Sequence, residues 1–322
     1  MKRVFLFEPS IASNNLGDQI IVNSIKKEMW EFFNESQIVE FATHTPLSNR
    51  YFYYLGRPDY KFVLGSNIVV GKLNHTIHLK QWMIDIFTAH NLSNTIFVGV
   101  GSQQYGQQIN LYTRFMYKRF FHSQFLHSVR DSYTEDALKS IGIKNVINTA
   151  CPTMWRFNKD YCKSIPKKKS HSVIFTLTDY KPNVKRDEYF INVLKSNYKN
   201  VFFWGQGFHD YSYLKKLANS DGIKLVNPNL ESYDNILKGE DVDFVGTRLH
   251  GGIRALQLGK RSLILGIDNR AIELQKDFNL PVILDSNIKD LEMVLNSDIN
   301  TDIELPIDNI KKFLSQFNIN YK

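Results

Sequence analysis

The sequence predicts an α/β protein of two doubly wound halves, each a parallel sheet with helices on both faces. Three observations predict it. Short apolar runs alternate with amphipathic helical patterns along all 322 residues, the signature of parallel strands joined by crossover helices. Glycine-containing or polar turns close many of the apolar runs, as at Gly65-Ser66-Asn67, Gly101-Ser102-Gln103-Gln104 and Gly205-Gln206-Gly207. The alternation breaks once near the middle and then restarts, and the chain is long enough for two ordinary domains.

In the first half, Val4 to Phe7 reads as a strand and Pro9 to Asn15 as a loop. Gly17-Asp18 opens an amphipathic helix carrying Ile20, Ile21, Ile25, Met29 and Phe33. Ile38 to Ala42 and Lys61 to Leu64 read as strands, Ile68 to Val70 as a further apolar run, and Gln81 to Ala89 as a helix. Thr95 to Val100 is a strongly apolar strand, followed by an aromatic helix from Leu111 to Phe121. Phe125 to Val129 is strand-like and ends at Arg130-Asp131. The helix Tyr133 to Ile141, stopped by Gly142, and the short strand Val146 to Thr149 complete this half.

The second half restarts at Val173 to Leu177. Strands are expected at Val201 to Trp204, Lys224 to Val226, Val242 to Val245, Ser262 to Leu265 and Val282 to Leu284. Helices are expected at Asp187 to Leu194, Tyr211 to Asn219, Tyr233 to Lys238, after Arg270 up to Phe278, near Leu291, and over Ile307 to Phe317. The expected organisation is an N-terminal Rossmann-like domain over residues 1–155, a linker over 156–169 with its Lys167-Lys168-Lys169 run, and a C-terminal Rossmann-like domain over 170–322. Two such domains facing a cleft would make a GT-B-like fold.

Composition narrows the function classes. Hydrophobic residues at 43% and charged residues at 22% describe a globular chain rather than a disordered one. The net charge of +8 suits anionic small molecules, phospholipid surfaces or nucleic acid. The basic residues are scattered, however, and nothing resembles a nucleic-acid module, so no nucleic-acid partner is expected. The four-residue apolar run after Met1-Lys2-Arg3 is too short for a signal peptide. No stretch reaches the roughly 18 apolar residues of a membrane span. Cys151 and Cys162 have no metal-type spacing and read as reduced thiols of a cytoplasmic protein. His75, His78, His122 and His127 lack carboxylate companions at ligand spacing, so no metal site is expected.

The stretch Val245-Gly246-Thr247-Arg248-Leu249-His250-Gly251-Gly252-Ile253 concentrates chemistry at one strand end. A strand feeding a helix through such a turn aims backbone N–H groups and a helix dipole at an anion. Arg248 offers a permanent charge in a bidentate fork, and His250 carries a proton near neutral pH. The bland readings stand beside these: a hydrogen-bonded structural histidine, an arginine ion pair, and glycines that only permit close helix–sheet packing. Trp204 likewise reads either as a sugar-stacking ring or as core.

The run Gly246-Thr247-Arg248-Leu249-His250-Gly251 resembles the C-terminal signature of the polysaccharide pyruvyl transferase family. Asn15-Leu16-Gly17-Asp18 is similar to that family's N-terminal motif, and Ser128-Val129-Arg130-Asp131-Ser132 to its middle one. The three occur in the family's order. Two features depart from the pattern: the glycine-rich run after the third strand is reduced to Leu64-Gly65-Ser66-Asn67, and Cys151-Pro152 stands where Asp-Pro is usual.

The resemblance implies transfer of a pyruvyl group from phosphoenolpyruvate to a sugar of a cell-surface polysaccharide precursor, forming a cyclic ketal. Phosphoenolpyruvate would be the donor substrate, with no cofactor. Arg248, with Leu249 and the amides near Gly251 and Gly252, would hold the donor's anionic groups, and His250 would be the general acid. Asp18, beside Asn15 and Gly17, would face the acceptor hydroxyl or simply cap its helix. Arg130 reads two ways, as a second anion clamp or, with Asp131, as a bracing ion pair. The implied acceptor is lipid-linked and lies at the cytoplasmic face of a membrane, where the basic balance would favour peripheral association. Two alternatives remain: a nucleotide-sugar glycosyltransferase of the same architecture, for which Asp268 is the nearest ribose clamp, and a non-catalytic glycan- or phosphate-binding relative.

Overall fold

Val4, Phe5, Leu6 and Phe7 are all buried in the computed structural model, which describes residues 1–74, 82, 84, 88–103, 106 and 108–321. Burial of consecutive residues means that both faces of this strand are covered, and that is why it reads as an unbroken apolar run. The strand, β1 (Lys2–Glu8), lies between β2 (Ser36–Ala42) and β3 (Tyr60–Leu64), and β4 (Ile96–Val98) follows β3, giving a parallel sheet of order β2-β1-β3-β4. A parallel pair, β5 (His127–Val129) and β6 (Val146–Asn148), joins through the parallel bridge Val100–Val129. One face packs Phe5, Phe7, Val63 and Phe97 against Met116, Tyr117 and Phe120 of the helix Leu111–Phe120. The other packs Val4, Leu6, Phe62 and Leu64 against Ile25, Met29, Ile310, Phe313 and Leu314.

The remaining strands form a six-stranded parallel sheet. They are β7 (Ser172–Thr176), β8 (Asn200–Trp204), β9 (Lys224–Val226), β10 (Val242–Gly246), β11 (Ser262–Gly266) and β12 (Val282–Leu284). Their order is β9-β8-β7-β10-β11-β12, so the winding direction reverses between β7 and β10. Open sheets of this order bind ligands beyond the strand carboxyl ends at the reversal. The fold class read from the sequence, two Rossmann-like α/β sheets of the GT-B-like kind, is the one found.

The expected boundaries shift. One unit comprises Met1–Ser13, Ile21–Trp155 and Leu305–Lys322, and the other Asn14–Ile20 and Arg156–Glu304. Residues 156–169 are no free linker. They contain the helix Lys159–Ser164, capped by Asn158, with Phe157, Cys162 and Ile165 buried. The Tyr161 hydroxyl donates to the carbonyls of Leu256 and Gln257, at 2.8 Å each. The C-terminal helix Ile307–Ser315 belongs to the first unit because Ile310, Phe313 and Leu314 complete its core. Residues 14–20 belong to the second because Asn15 bridges Gly207, and the Leu16 amide donates to the Gln206 carbonyl at 2.9 Å.

Three smaller expectations change. The helix Asn49–Leu55 has no counterpart in the sequence reading, the helix expected over 211–219 spans Asp210–Leu214, and Ile68 to Val70 contributes only the bridge at Val69. The helix expected over Gln81 to Ala89 falls largely outside the described residues, as do His75, His78 and Gln104. Among the described residues no helix is long and apolar enough to cross a membrane.

His127 sets a pH dependence for the first unit. Its Nδ1 accepts the Phe97 amide at 3.1 Å and its Nε2 lies 2.9 Å from the His122 carbonyl, an arrangement that needs the neutral ring. Burial pushes its pKa down to about 3, outweighing the His122 carbonyl bond that pulls it up. An unfolded histidine titrates near 6.5. The stability from keeping this ring neutral is therefore present above about pH 6.5 and lost as pH falls toward 3, by up to ~1.4 kcal/mol per pH unit. Urea midpoints at pH 7, 5 and 4 should fall on this slope, and His127→Gln should flatten it. An equal slope in the variant would assign the loss to other groups.

Candidate functional site

The turn after β10 carries the residues singled out by the sequence. Gly246 closes the strand against β7: a Cβ there would lie 2.3 Å from Thr176 Oγ1. Arg248 is the N-cap of the helix Leu249–Gln257, but its side chain does not cap, so the first-turn amides receive no side-chain acceptor from it. The cap side chain instead points along the strand ends. Its Nε donates to Asp210 Oδ2 at 3.0 Å and to the Leu177 carbonyl at 3.1 Å. Its Nη2 donates to Asp179 Oδ1 at 2.8 Å and to Asp210 Oδ1. The guanidinium carbon lies 5.0 Å from the centre of the Tyr180 ring. Among the described residues Nη1 has no hydrogen-bond partner.

Arg248 therefore makes the ion pair that the sequence set beside anion binding as its other reading. It sits in a cluster with two carboxylates, Asp179 and the buried Asp210. Burial raises the Asp210 pKa, while Arg248 and the amides of Gly207 and Asp179 pull it down. One cation against two carboxylates leaves a negative balance when both are ionised. An anion meets attraction here only at the open Nη1 end, or by displacing Asp179, whose side chain is the more exposed of the two acids.

Gln206 ties the Asn15 turn to this site. Its Nε2 donates to Asn15 Oδ1 at 2.8 Å, and that oxygen also accepts the Gly17 amide at 3.1 Å, capping the helix Leu16–Glu28. A Cβ on Gly17 would come within 2.5 Å of Gln206 Nε2, and one on Gly251 within 3.3 Å of Gln206 Oε1. Gly17 thus makes room for this amide, and Gly251 for both the amide and the Phe244 ring, whose Cε2 would lie 3.2 Å from such a Cβ. Gly252 does something else: a Cβ there would meet Ile264 Cγ1 at 2.4 Å, so it serves close helix–sheet packing. Gln206 is 4% exposed, and among the described residues its Oε1 has no hydrogen-bond partner. Buried acceptors left in that condition are uncommon and call for an explanation.

The structure thus gathers Asn15, Gly17, Arg248 and Gly251 around Gln206 and Gly207 within the second unit. His250 occupies the first turn of the same helix at 3% exposure, Leu249 beside it is buried, and Asp18 is buried in the first turn of its own helix. Sequence reasoning missed Asp179 and Asp210. Their signal was an acidic residue just beyond a strand's carboxyl end, visible only once β7, β8 and β10 are known to be neighbours.

Three other candidates are not part of this group. Arg130 lies in the first unit, where Nε pairs with Asp131 Oδ2 at 3.2 Å and Nη2 donates to Asn67 Oδ1 and, at 3.5 Å, to the Ser102 carbonyl. The ion pair with Asp131 is thus formed, beneath Gly101, whose Cβ would lie 2.2 Å from Arg130 Nε. Trp204 is core: it is buried, stacks on Tyr233 at 3.9 Å and donates to the Asn229 carbonyl. Asp268, the ribose-clamp candidate, caps the helix Asn269–Phe278, is paired with Arg270 and borders the Arg248 cluster, since the Tyr180 hydroxyl donates to it at 3.5 Å and accepts from Arg270.

A family model described as polysaccharide pyruvyl transferase matches residues 15–269, spanning the Asn15 turn, Arg130 and the Arg248 turn. The chain belongs to the polysaccharide pyruvyl transferase family. No curated protein matches the chain at a significant level. Among solved structures it is similar to the UDP-GlcNAc 2-epimerase of Methanocaldococcus jannaschii in complex with UDP-GlcNAc and UDP, at 12% identity over 98% of each chain and a TM-score of 0.54. It is also similar to UDP-N-acetylglucosamine 2-epimerase from Rickettsia bellii, at 12% identity over 99% of this chain and 95% of that one, with a TM-score of 0.53. At such identities the likeness shows the fold, and the family membership carries the functional argument.

Proposed function

We propose that this member of the family transfers the pyruvyl group of phosphoenolpyruvate to two hydroxyls of a sugar in a polysaccharide precursor. The observation that carries the reading is the Arg248 fork, with Nη1 unengaged, beside His250 on the first turn of a helix at the strand-order reversal. The donor's anionic group meets Nη1 and the first-turn amides. His250 protonates the methylene carbon as a first sugar hydroxyl adds to C2 and loses its proton toward Asp18. The C2–O bond to phosphate then breaks, and the second hydroxyl closes the ketal. One hydroxyl proton ends on the new methyl group and the other on phosphate, so the sum is diol plus phosphoenolpyruvate giving ketal plus phosphate. Gln206 Oε1 supplies an acceptor for a further hydroxyl of the sugar. The acceptor is a lipid-linked saccharide at a membrane surface.

The test is phosphate release from phosphoenolpyruvate with galactose- and N-acetylhexosamine-containing acceptors, followed by detection of the ketal in the product. Release that depends on acceptor supports the reading. No release with any acceptor, together with tight binding of a nucleotide sugar, would replace it with the glycosyltransferase. Binding of phosphoenolpyruvate without turnover would replace it with the non-catalytic relative.

Asp179 gives a second test of the Arg248 arrangement. If the donor competes with this carboxylate for the guanidinium, Asp179→Asn should lower the KM for phosphoenolpyruvate by up to about fivefold, the equivalent of ~1 kcal/mol for a partly exposed pair, with kcat little changed. A raised KM would mean that Asp179 positions Arg248 rather than competing with its ligand.

A further inference from the structure

The first unit contains a cavity of about 730 Å³ at the amino-terminal ends of β3 and β4, the opposite strand edge from Arg130. Its size falls within the ~300–1,000 Å³ of small-molecule sites. Lys61, near the start of β3, lines it. Lys61 Nζ donates to the Asn91 carbonyl at 2.9 Å, and among the described residues no carboxylate lies within ion-pair distance of it. Arg57, His90 and His122 line the same cavity. The one acidic residue there, Asp59, receives the Arg3 amide at 2.7 Å.

A half-buried ammonium with a single carbonyl partner carries a desolvation cost that nothing nearby offsets. Burial alone pulls the Lys61 pKa down to about 8, and burial with the Lys61 charge lowers that of His122. An anion in the cavity would offset both. The remaining walls include asparagine amides and aromatic rings. Asn91 Nδ2 donates to Asn49 Oδ1 at 2.7 Å, and Tyr53, on the helix Asn49–Leu55, is 94% exposed at the cavity. A ring so exposed contributes nothing to the core, and beside amide groups it offers a flat apolar face of the kind a hexose ring covers.

We propose that this cavity is a second ligand site that takes an acidic saccharide, with the hexose against Tyr53 and the asparagine amides and its carboxylate or phosphate on Lys61 and Arg57. The proposal is independent of the chemistry assigned to His250. In calorimetric titrations of the full chain, glucuronic acid and glucose 1-phosphate should bind, while glucose and inorganic phosphate should bind at least about tenfold more weakly. The stronger of the two acidic sugars identifies the anion as carboxylate or phosphate. Lys61→Gln should weaken acidic-sugar binding roughly tenfold or more, and Tyr53→Ala several-fold. Independently of variants, acetylation of Lys61 at pH 8, mapped by mass spectrometry, should be slowed by the acidic sugar and not by glucose. Binding that survives Lys61→Gln but is lost in Arg248→Lys belongs to the other unit and overturns the proposal. So does inorganic phosphate binding as tightly as the acidic sugars, or acetylation that no sugar slows.

Discussion

Replacing His250 by alanine is expected to lower acceptor-dependent phosphate release from phosphoenolpyruvate by roughly 10²–10⁴-fold, the usual contribution of a positioned general acid. The KM for phosphoenolpyruvate should change little, because the loss falls on an interaction made in the transition state rather than on ground-state binding. The expectation rests on position. His250 is 3% exposed on the first turn of Leu249–Gln257, two residues from the Arg248 fork. Removing a buried ring also risks a packing defect, so His250→Gln serves as the second variant, since it keeps volume and hydrogen-bonding capacity but cannot deliver a proton. Loss of turnover in both variants, with melting close to the native chain, assigns the acid. Turnover retained in His250→Gln would make this residue a structural hydrogen-bonding group.

The fold was most legible where its strands are covered on both faces. β10 and β11, buried at every residue over Val242–Gly246 and Ser262–Gly266, each fall within one residue of the strands read from the sequence, since a doubly covered strand is an apolar run bounded by polar turns. The helix Asn49–Leu55 left little trace because it is short and fully buries none of its residues, Phe52 and Leu55 packing only partly against the core. The exchange of residues 14–20 and 305–322 between units was illegible for a different reason. It depends on pairings such as Asn15 with Gly207 and on Ile310 filling a core made by distant strands. No local pattern encodes a partner nearly two hundred positions away.

The site divides along the same line. Arg248 and His250 stand out in the sequence because a basic turn between a strand and a helix is a local feature. What holds Arg248 is not local. Asp179 follows β7, Asp210 follows β8, and the two meet the guanidinium only because the sheet order places β7 between β8 and β10. The glycines show how the two readings of a small residue coexist. Gly252 answers to Ile264 and packing, Gly17 to the Gln206 amide, and Gly251 to both the amide and the Phe244 ring. The sequence offered both explanations and could not assign them.

Asp210→Asn should destabilise the second unit by about 3 kcal/mol, because it leaves the buried Arg248 with only the partly exposed Asp179 as a carboxylate partner. Asp210 is fully buried and accepts from Arg248 Nε at 3.0 Å, from Arg248 Nη2, and from the amides of Gly207 at 2.7 Å and Asp179 at 3.2 Å. Asparagine retains the volume and one acceptor oxygen but removes the charge, leaving Arg248 with Asp179 alone as its carboxylate partner. The denaturation midpoint should fall accordingly, and the KM for phosphoenolpyruvate should move as the fork loses its alignment. The double variant Asp210→Asn with Arg248→Met separates the two effects. With the cation gone, much of the lost stability should return, since a buried pair replaced on both sides is often near neutral, whereas turnover should not return at all. Such a cycle would place Asp210 as the residue that orients Arg248. A single variant that costs less than about 1 kcal/mol, within the range of partly exposed pairs, would show instead that Asp179 and the Leu177 carbonyl suffice to hold the fork.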